Sequence, residues 1–215
     1  MASIEIGAAP RRGGRPTRDE AAALGERIIE VATRLFLSGG FGATSIEGVA
    51  ATAAISKRTF YHRFRDKPDL FRAVLKRLVT LWVTPFEAQF AMDAPVEEIL
   101  AKVARATLTA AMSAEALALY RMLIAEAPRF PELARIATEQ SAAAGNKLGS
   151  YLAAKAQSGE LAIDDIGFAT EQFINLVLAG PRRRALGLGP AMSPHELDRW
   201  IHRSVTLFLN GYRPR

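Results

Sequence analysis

Between Thr44 and Phe64 the chain reads TSIEGVAATAAISKRTFYHRF. Lys57, Arg58, Thr59, Tyr61, His62 and Arg63 crowd cationic, hydroxyl and aromatic groups into one short stretch, with Phe60 and Phe64, four apart, as its apolar anchors. On a helix that spacing turns the two phenylalanines inward and leaves the polar groups free to point elsewhere. Ammonium and guanidinium groups donate to guanine O6 and N7, and hydroxyls reach phosphate oxygens. A short helix with so polar and basic a first turn suits the recognition helix of a helix-turn-helix, whose early residues meet base edges.

The surrounding elements position that helix. Thr44 and Glu47 form a T-x-x-E capping box that is predicted to start the preceding helix, with Ile46, Val49, Ala50 and Ala53 on one apolar stripe. Ile55 falls in the turn, and Ser56 is a favourable N-cap for the second helix. Upstream, Leu24, Ile28, Val31, Leu35 and Phe36 recur at helical spacing until Gly39-Gly40, and Phe41 begins a loop. Downstream, Asp66 is placed to cap a fourth helix with Pro68 in its first turn, and Leu70, Phe71, Val74, Leu75, Leu78 and Leu81 continue a buried face. The fourth helix is expected to run to about Phe90, with Pro85 as a point of interruption. The first three are expected to pack around Ile28, Phe36, Val49 and Phe60.

Charge is distributed unevenly. Residues 1–82 hold 14 Lys and Arg against 8 Asp and Glu, a net of +6, whereas residues 83–215 hold 14 of each and are neutral. All the excess positive charge therefore lies beside the candidate recognition helix, where counterion release from phosphates would use it. The run Arg11-Arg12-Gly13-Gly14-Arg15-Pro16-Thr17-Arg18 has no apolar residue to bury. It reads as a flexible arm able to enter a minor groove, or as an ordinary solubilising tail.

The rest of the chain carries helical patterns and no strand pattern of useful length. Pro95 opens a helix to about Met112, a second covers Ala114 to Ala127, and a long one follows from Glu132 to about Gln157. Asp164 or Asp165 caps the next, and Ser193-Pro194 starts the last, which runs through Leu209. In these last two, Phe173, Ile174, Val177, Leu178, Trp200, Ile201, Val205 and Phe208 spread over more than one face. An apolar surface of that extent is rarely left wet; it is covered by a partner copy or by the chain's own helices. Trp82, Phe86, Met112, Tyr120, Leu123 and Phe173 are candidates for the wall of an apolar ligand cavity, or for plain core. Arg121, Glu126, Gln172 and Asn175 are polar groups among apolar neighbours, placed to orient a ligand or to face solvent.

Several chemistries are disfavoured. There is no cysteine, no Gly-rich phosphate loop, no G-x-S-x-G and no HExxH, so an enzyme is not expected, and neither is a thiolate site or a cofactor. His195 and His202 lie seven apart, far from His62 and without an acidic cluster, so no metal site is expected. The N-terminus lacks an apolar h-region and no span reaches the length of a membrane helix, which leads to the expectation of a cytoplasmic protein that does not bind membranes.

Thr44, Gly48-Val49-Ala50, Ile55-Ser56, Phe60-Tyr61-His62-Arg63-Phe64 and Asp66-Lys67-Pro68-Asp69-Leu70-Phe71 together resemble the DNA-binding domain of TetR-type bacterial transcriptional regulators. The resemblance runs from about Arg11 to Leu81; beyond it only the helical plan is similar. It implies an all-α fold, with an N-terminal three-helix helix-turn-helix domain followed by a C-terminal helical ligand-binding and dimerisation domain. The corresponding boundaries are a flexible basic arm at 1–19, the helix-turn-helix domain at 20–67 and the helical domain at 68–215.

Residue by residue, the resemblance implies that Lys57 and Arg58 contact bases and that Tyr61 meets phosphate or a thymine methyl, with His62 beside it. Thr44 and Thr59 would bond phosphates through their hydroxyls, Lys67 is a further phosphate contact, and Arg15 belongs to the arm. Phe60 departs from the aliphatic residue common at its position, a variation of the core. The implied partners are a palindromic double-stranded operator, a second copy of the chain paired as a four-helix bundle, and a small-molecule ligand that releases the DNA. The alternative is an architectural DNA binder indifferent to sequence.

Overall fold

The computed structural model describes residues 17–83 and 94–214, and those residues form nine α-helices with no strand. Helix α1 (Arg18–Ala43) begins ahead of the expected Leu24 because Thr17 and Glu20 make a reciprocal capping box. Glu20 N–H donates to Thr17 Oγ1 at 3.2 Å, and Thr17 N–H to Glu20 Oε2 at 2.8 Å. Arg18 and Asp19, expected in the arm, are therefore helical. The helix bends at Gly40, whose φ of 85° only glycine adopts freely, and the chain resumes a last turn through Phe41. Phe41, expected in a loop, is buried there: its ring lies 5.5 Å from both Phe36 and Phe71.

Helices α2 (Ile46–Thr52) and α3 (Lys57–Tyr61) follow, then α4 (Lys67–Val83), whose first turn is capped by Asp66 Oδ1 accepting Asp69 N–H at 2.8 Å. Ile28, Val31, Phe36, Val49, Phe60, Leu70, Phe71, Val74 and Leu78 close the first core among these four helices. Where α4 runs beyond Val83, and the interruption expected at Pro85, lie outside the described residues.

Five further helices complete the chain: α5 (Val96–Ala111), α6 (Ala114–Glu126), α7 (Pro131–Gln157), α8 (Ile166–Ala185) and α9 (Pro194–Tyr212). Their caps fall near the expected ends. Ser113 and Ser193 accept the N–H groups of Ala116 and Glu196, and of the two aspartates left open it is Asp165 that accepts Phe168 N–H. A second core joins Ile99, Leu100 and Val103 of α5 to Phe173 and Val177 of α8 and Ile201, Val205 and Phe208 of α9. Helix α7 serves both cores: Leu133 and Ile136 belong to the first, Leu148 and Leu152 to the second. Helix α6 likewise gives Leu119 and Met122 to the first core, so the helix-turn-helix shares a core with the helices that follow it.

Helix α8 contains Pro181, which has no N–H for the Val177 carbonyl. Trp200 Nε1–H of α9 supplies the missing donor, reaching the carbonyls of Leu176 and Val177 at 3.0 Å each. A Cβ at Gly180 would collide with the same indole, so glycine is required for the close approach of α8 and α9.

Candidate nucleic-acid interface

The α2–turn–α3 unit is defined by its caps. The structure moves the first cap by one residue from the expected Thr44 to Ser45, which is extended (φ −101°, ψ 154°) and accepts Gly48 N–H at 3.0 Å. Thr44 instead closes α1. It is buried, and its hydroxyl donates to the Gly40 carbonyl at 2.8 Å, so the hydroxyl expected on a phosphate is turned inward. The turn itself is a Schellman motif. Ile55 N–H reaches Ala50 O at 2.9 Å and Ala54 N–H reaches Ala51 O at 3.1 Å, with Ala54 left-handed at φ 51°. Ser56 then caps α3 as expected, accepting Thr59 N–H at 3.0 Å and sharing a 2.8 Å hydrogen bond with the Thr59 hydroxyl.

A five-residue helix has no stability of its own, so its tertiary anchors fix its direction. Phe60 is fully buried, and its ring meets Phe64 and Tyr61 at 5.6 and 5.5 Å. Arg63, expected to point away, is recruited as a second anchor: Nη2 donates to the Ala21 carbonyl of α1. Gly25 makes room for it, because a Cβ there would lie 2.9 Å from Arg63 Nη1.

The outward side of α3 holds Lys57, Arg58, Tyr61 and His62 in solvent, with Tyr61 52% exposed despite its apolar ring. Arg58 has no carboxylate partner among the described residues. Lys57 does: its Nζ lies 2.6 Å from Glu47 Oε1 of α2. That contact holds the Glu47 carboxyl below its usual range and the Lys57 ammonium above its own, each through the hydrogen bond between them. Lys67, expected on a phosphate, is used elsewhere. Its ammonium donates to the carbonyls of Phe41 at 2.8 Å, Thr44 at 3.0 Å and Gly42 at 3.4 Å, over the Phe41 ring. Partial burial lowers its pKa, opposed by the charges of Glu126 and Glu132. Arg15 lies outside the described residues.

The other expected sites are dispersed. Phe173 belongs to the second core and Met112 packs against it, Leu123 packs against the first, and Tyr120 lies under the Arg182 guanidinium at 4.5 Å. Phe86 and the Trp82 side chain lie outside the described residues. A cleft of about 310 Å³ opens elsewhere, between Phe36, Leu37 and Gly40 of α1 and Arg121, Met122 and Glu126 of α6. Of the residues read as an intersubunit face, Phe173, Val177, Leu178, Ile201, Val205 and Phe208 are buried against α5 and α7 within the chain. Ile174 is half-buried, and so is Trp200, whose indole is held by α8. The large apolar side chains that α8 and α9 leave in solvent are Phe168, 56% exposed, and Leu207, 62% exposed. Sequence reading also missed Ser45, which stands beside the Thr44 it preferred, and the Glu47–Lys57 pair, whose members lie on different helices.

A capped tri-helical unit with an exposed basic third helix, joined to an all-helical remainder, is the architecture of a helix-turn-helix DNA-binding protein. Residues 28–74 match the family described as bacterial regulatory proteins, tetR family, and residues 98–214 match the C-terminal domain of AefR-like transcriptional repressors. The chain belongs to the TetR family of bacterial transcriptional regulators.

A TetR-family transcriptional regulator from Mesorhizobium loti MAFF303099 has a similar structure, with a TM-score of 0.76 and 30% identity, covering 93% of this chain and 100% of that one. The flavonoid-responsive regulator FrrA is similar at a TM-score of 0.74 and 29% identity, over 90% of this chain and 99% of its own. Among curated relatives, the regulator AcrR of Shigella flexneri is 37% identical over 60 residues, so the match spans only 28% of each chain. UidR of Escherichia coli K12 is 26% identical over 142 residues, 64% of this chain and 69% of UidR. TetR-family proteins are regulators rather than enzymes; they bind DNA operators and small-molecule ligands and are usually dimers. No single described helix is long and apolar enough to cross a membrane.

Proposed function

We propose that this protein is a cytoplasmic repressor that binds a palindromic operator as a C2 homodimer and leaves it when a small molecule occupies the helices beyond α4. The observation that carries this reading is the outward face of α3: Arg58, Tyr61, His62 and Lys57 are presented to solvent while Phe60 and Arg63 fix the helix from behind. Arg58 is the first candidate for a bidentate guanine contact, and Tyr61 for a phosphate or thymine methyl. Lys57 joins them on leaving Glu47. Ser45 and Thr59 are placed for phosphates, and the net charge of +6 on residues 1–82 provides the sequence-independent attraction.

Pairing through α8 and α9 is supported by Phe168 and Leu207, exposed apolar groups at the same end of the helix pair, where Ala162 N–H meets the Tyr212 carbonyl. Two recognition helices related by a two-fold axis match half-sites one DNA turn apart. The domain division at about residue 67 is retained as a functional one, with α4 as the link. A ligand acts by binding better to a protomer arrangement that misfits the half-sites.

Selection of duplexes from a random pool by the purified protein tests the reading. Recovery of a palindrome, bound by two protomers in sedimentation, is the expected result. Retention without any enriched motif would favour the architectural binder.

A further inference from the structure

The turn that launches the helix-turn-helix, Gly40 to Thr44, is held from two sides by charges of opposite sign. From α4, the Lys67 ammonium takes the carbonyls of Phe41, Gly42 and Thr44. From the C-terminal end of α6, Glu126 Oε2 accepts Gly42 N–H at 2.5 Å. The two contacts are complementary, since an ammonium only donates and a carboxylate only accepts. The local sequence makes space for the carboxylate. A Cβ at Gly40 would collide with Glu126 Oε1, and one at Gly42 would lie 3.1 Å from Oε2 and 3.3 Å from the Phe130 ring. Just beyond α6, Phe130 packs edge-on against Phe41 with centroids 5.1 Å apart. Glu126 also lines the cleft of about 310 Å³ between α1 and α6, which gives open space beside this contact.

We propose that Glu126 is a positioning residue for DNA recognition: its bond to Gly42 N–H ties the end of α6 to the turn that sets the direction of α2 and α3. The turn passes directly into Ser45, the N-cap of α2, so a displacement at Gly42 reaches the recognition helix within one capped segment. Withdrawal of the Glu126 carboxylate releases this hold without removing Phe60, the buried anchor of α3. This inference rests on the DNA-reading role of α3 proposed above, but the contact has a signature independent of DNA.

The test compares Glu126→Ala with Glu126→Gln, whose amide oxygen still accepts Gly42 N–H. Amide hydrogen exchange on the full-length protein is expected to rise about tenfold at Gly42 and along Ser45–Tyr61 in the alanine variant, and to stay near wild type in α5 and α9. The glutamine variant should remain within about twofold of wild type throughout. The preference of the alanine variant for the selected operator over random duplex should fall severalfold and be restored by glutamine. Unchanged exchange from Gly42 to Tyr61 would overturn the proposal. So would a uniform rise in every helix, which would mean a merely stabilising contact. Should wild type itself show no preferred duplex, the DNA-reading role of α3 fails, and the exchange pattern alone still decides the role of Glu126.

Discussion

In the helix-turn-helix unit a helix of five residues carries the polar surface, and caps, a buried phenylalanine and an arginine hold it from behind. In the second core, helices of 16 to 27 residues spend most of their large apolar side chains on one another, within a stretch, residues 83–215, that carries no net charge. A short helix has no cooperativity to draw on, so nearly every residue in it is constrained by a cap, an anchor or a task. Long helices gain stability from any well-packed apolar face, and a leucine serves core, cavity wall and subunit interface equally well. The two regions therefore place opposite demands on substitution: anchors are critical in the first, and packing volume in the second.

Removing the anchor should break this comparison most severely. Phe60→Ala empties a fully buried ring site and should cost about 3–5 kcal/mol, measured by urea unfolding. Operator binding should be lost with it. Next, Trp200→Phe leaves the Val177 carbonyl without its donor and removes the part of the indole that packs on Gly180. It should cost about 1–3 kcal/mol, with operator preference retained at temperatures below the lowered midpoint.

These two sites also show how far the chain could be read in advance. The Phe60 and Phe64 anchors, the Ser56 cap and the order of the nine described helices follow from spacing and capping residues alone. The first cap slipped from Thr44 to Ser45 because adjacent hydroxyls are equivalent on paper, and only the end of α1 decides between them. Lys67 and Arg63 looked like surface cations; tertiary carbonyls, invisible to local pattern, captured both. Six of the eight residues read as a partner face, Ile174 and Trp200 apart, lie in the chain's own second core, since apolar periodicity does not say which neighbour covers it.

Smaller effects sharpen the contrast within the unit. Ser56→Ala removes the cap of α3 and should cost about 1 kcal/mol in thermal or urea unfolding. Ala54→Gly relieves a left-handed alanine and should leave stability unchanged or raise it by up to about 1 kcal/mol. The smallest effect concerns the exposed Glu47–Lys57 pair. Its carboxyl is held low and its ammonium high, so the pair persists across neutral pH and is lost in acid only as Glu47 protonates, below the usual carboxylate range. Glu47→Gln should leave the unfolding midpoint unchanged and tighten duplex binding by freeing Lys57.

Sequence reading by α3 is tested most directly by competition binding. Wild type and an Arg58→Ala/Tyr61→Ala variant would be titrated with the selected palindrome and with a scrambled duplex at one salt concentration. The variant should unfold at the wild-type midpoint, keep its affinity for the scrambled duplex within a few fold, and lose about 1–3 kcal/mol of preference for the palindrome per base contact removed. Equal preference in the two proteins would contradict this and remove α3 from the role of reader.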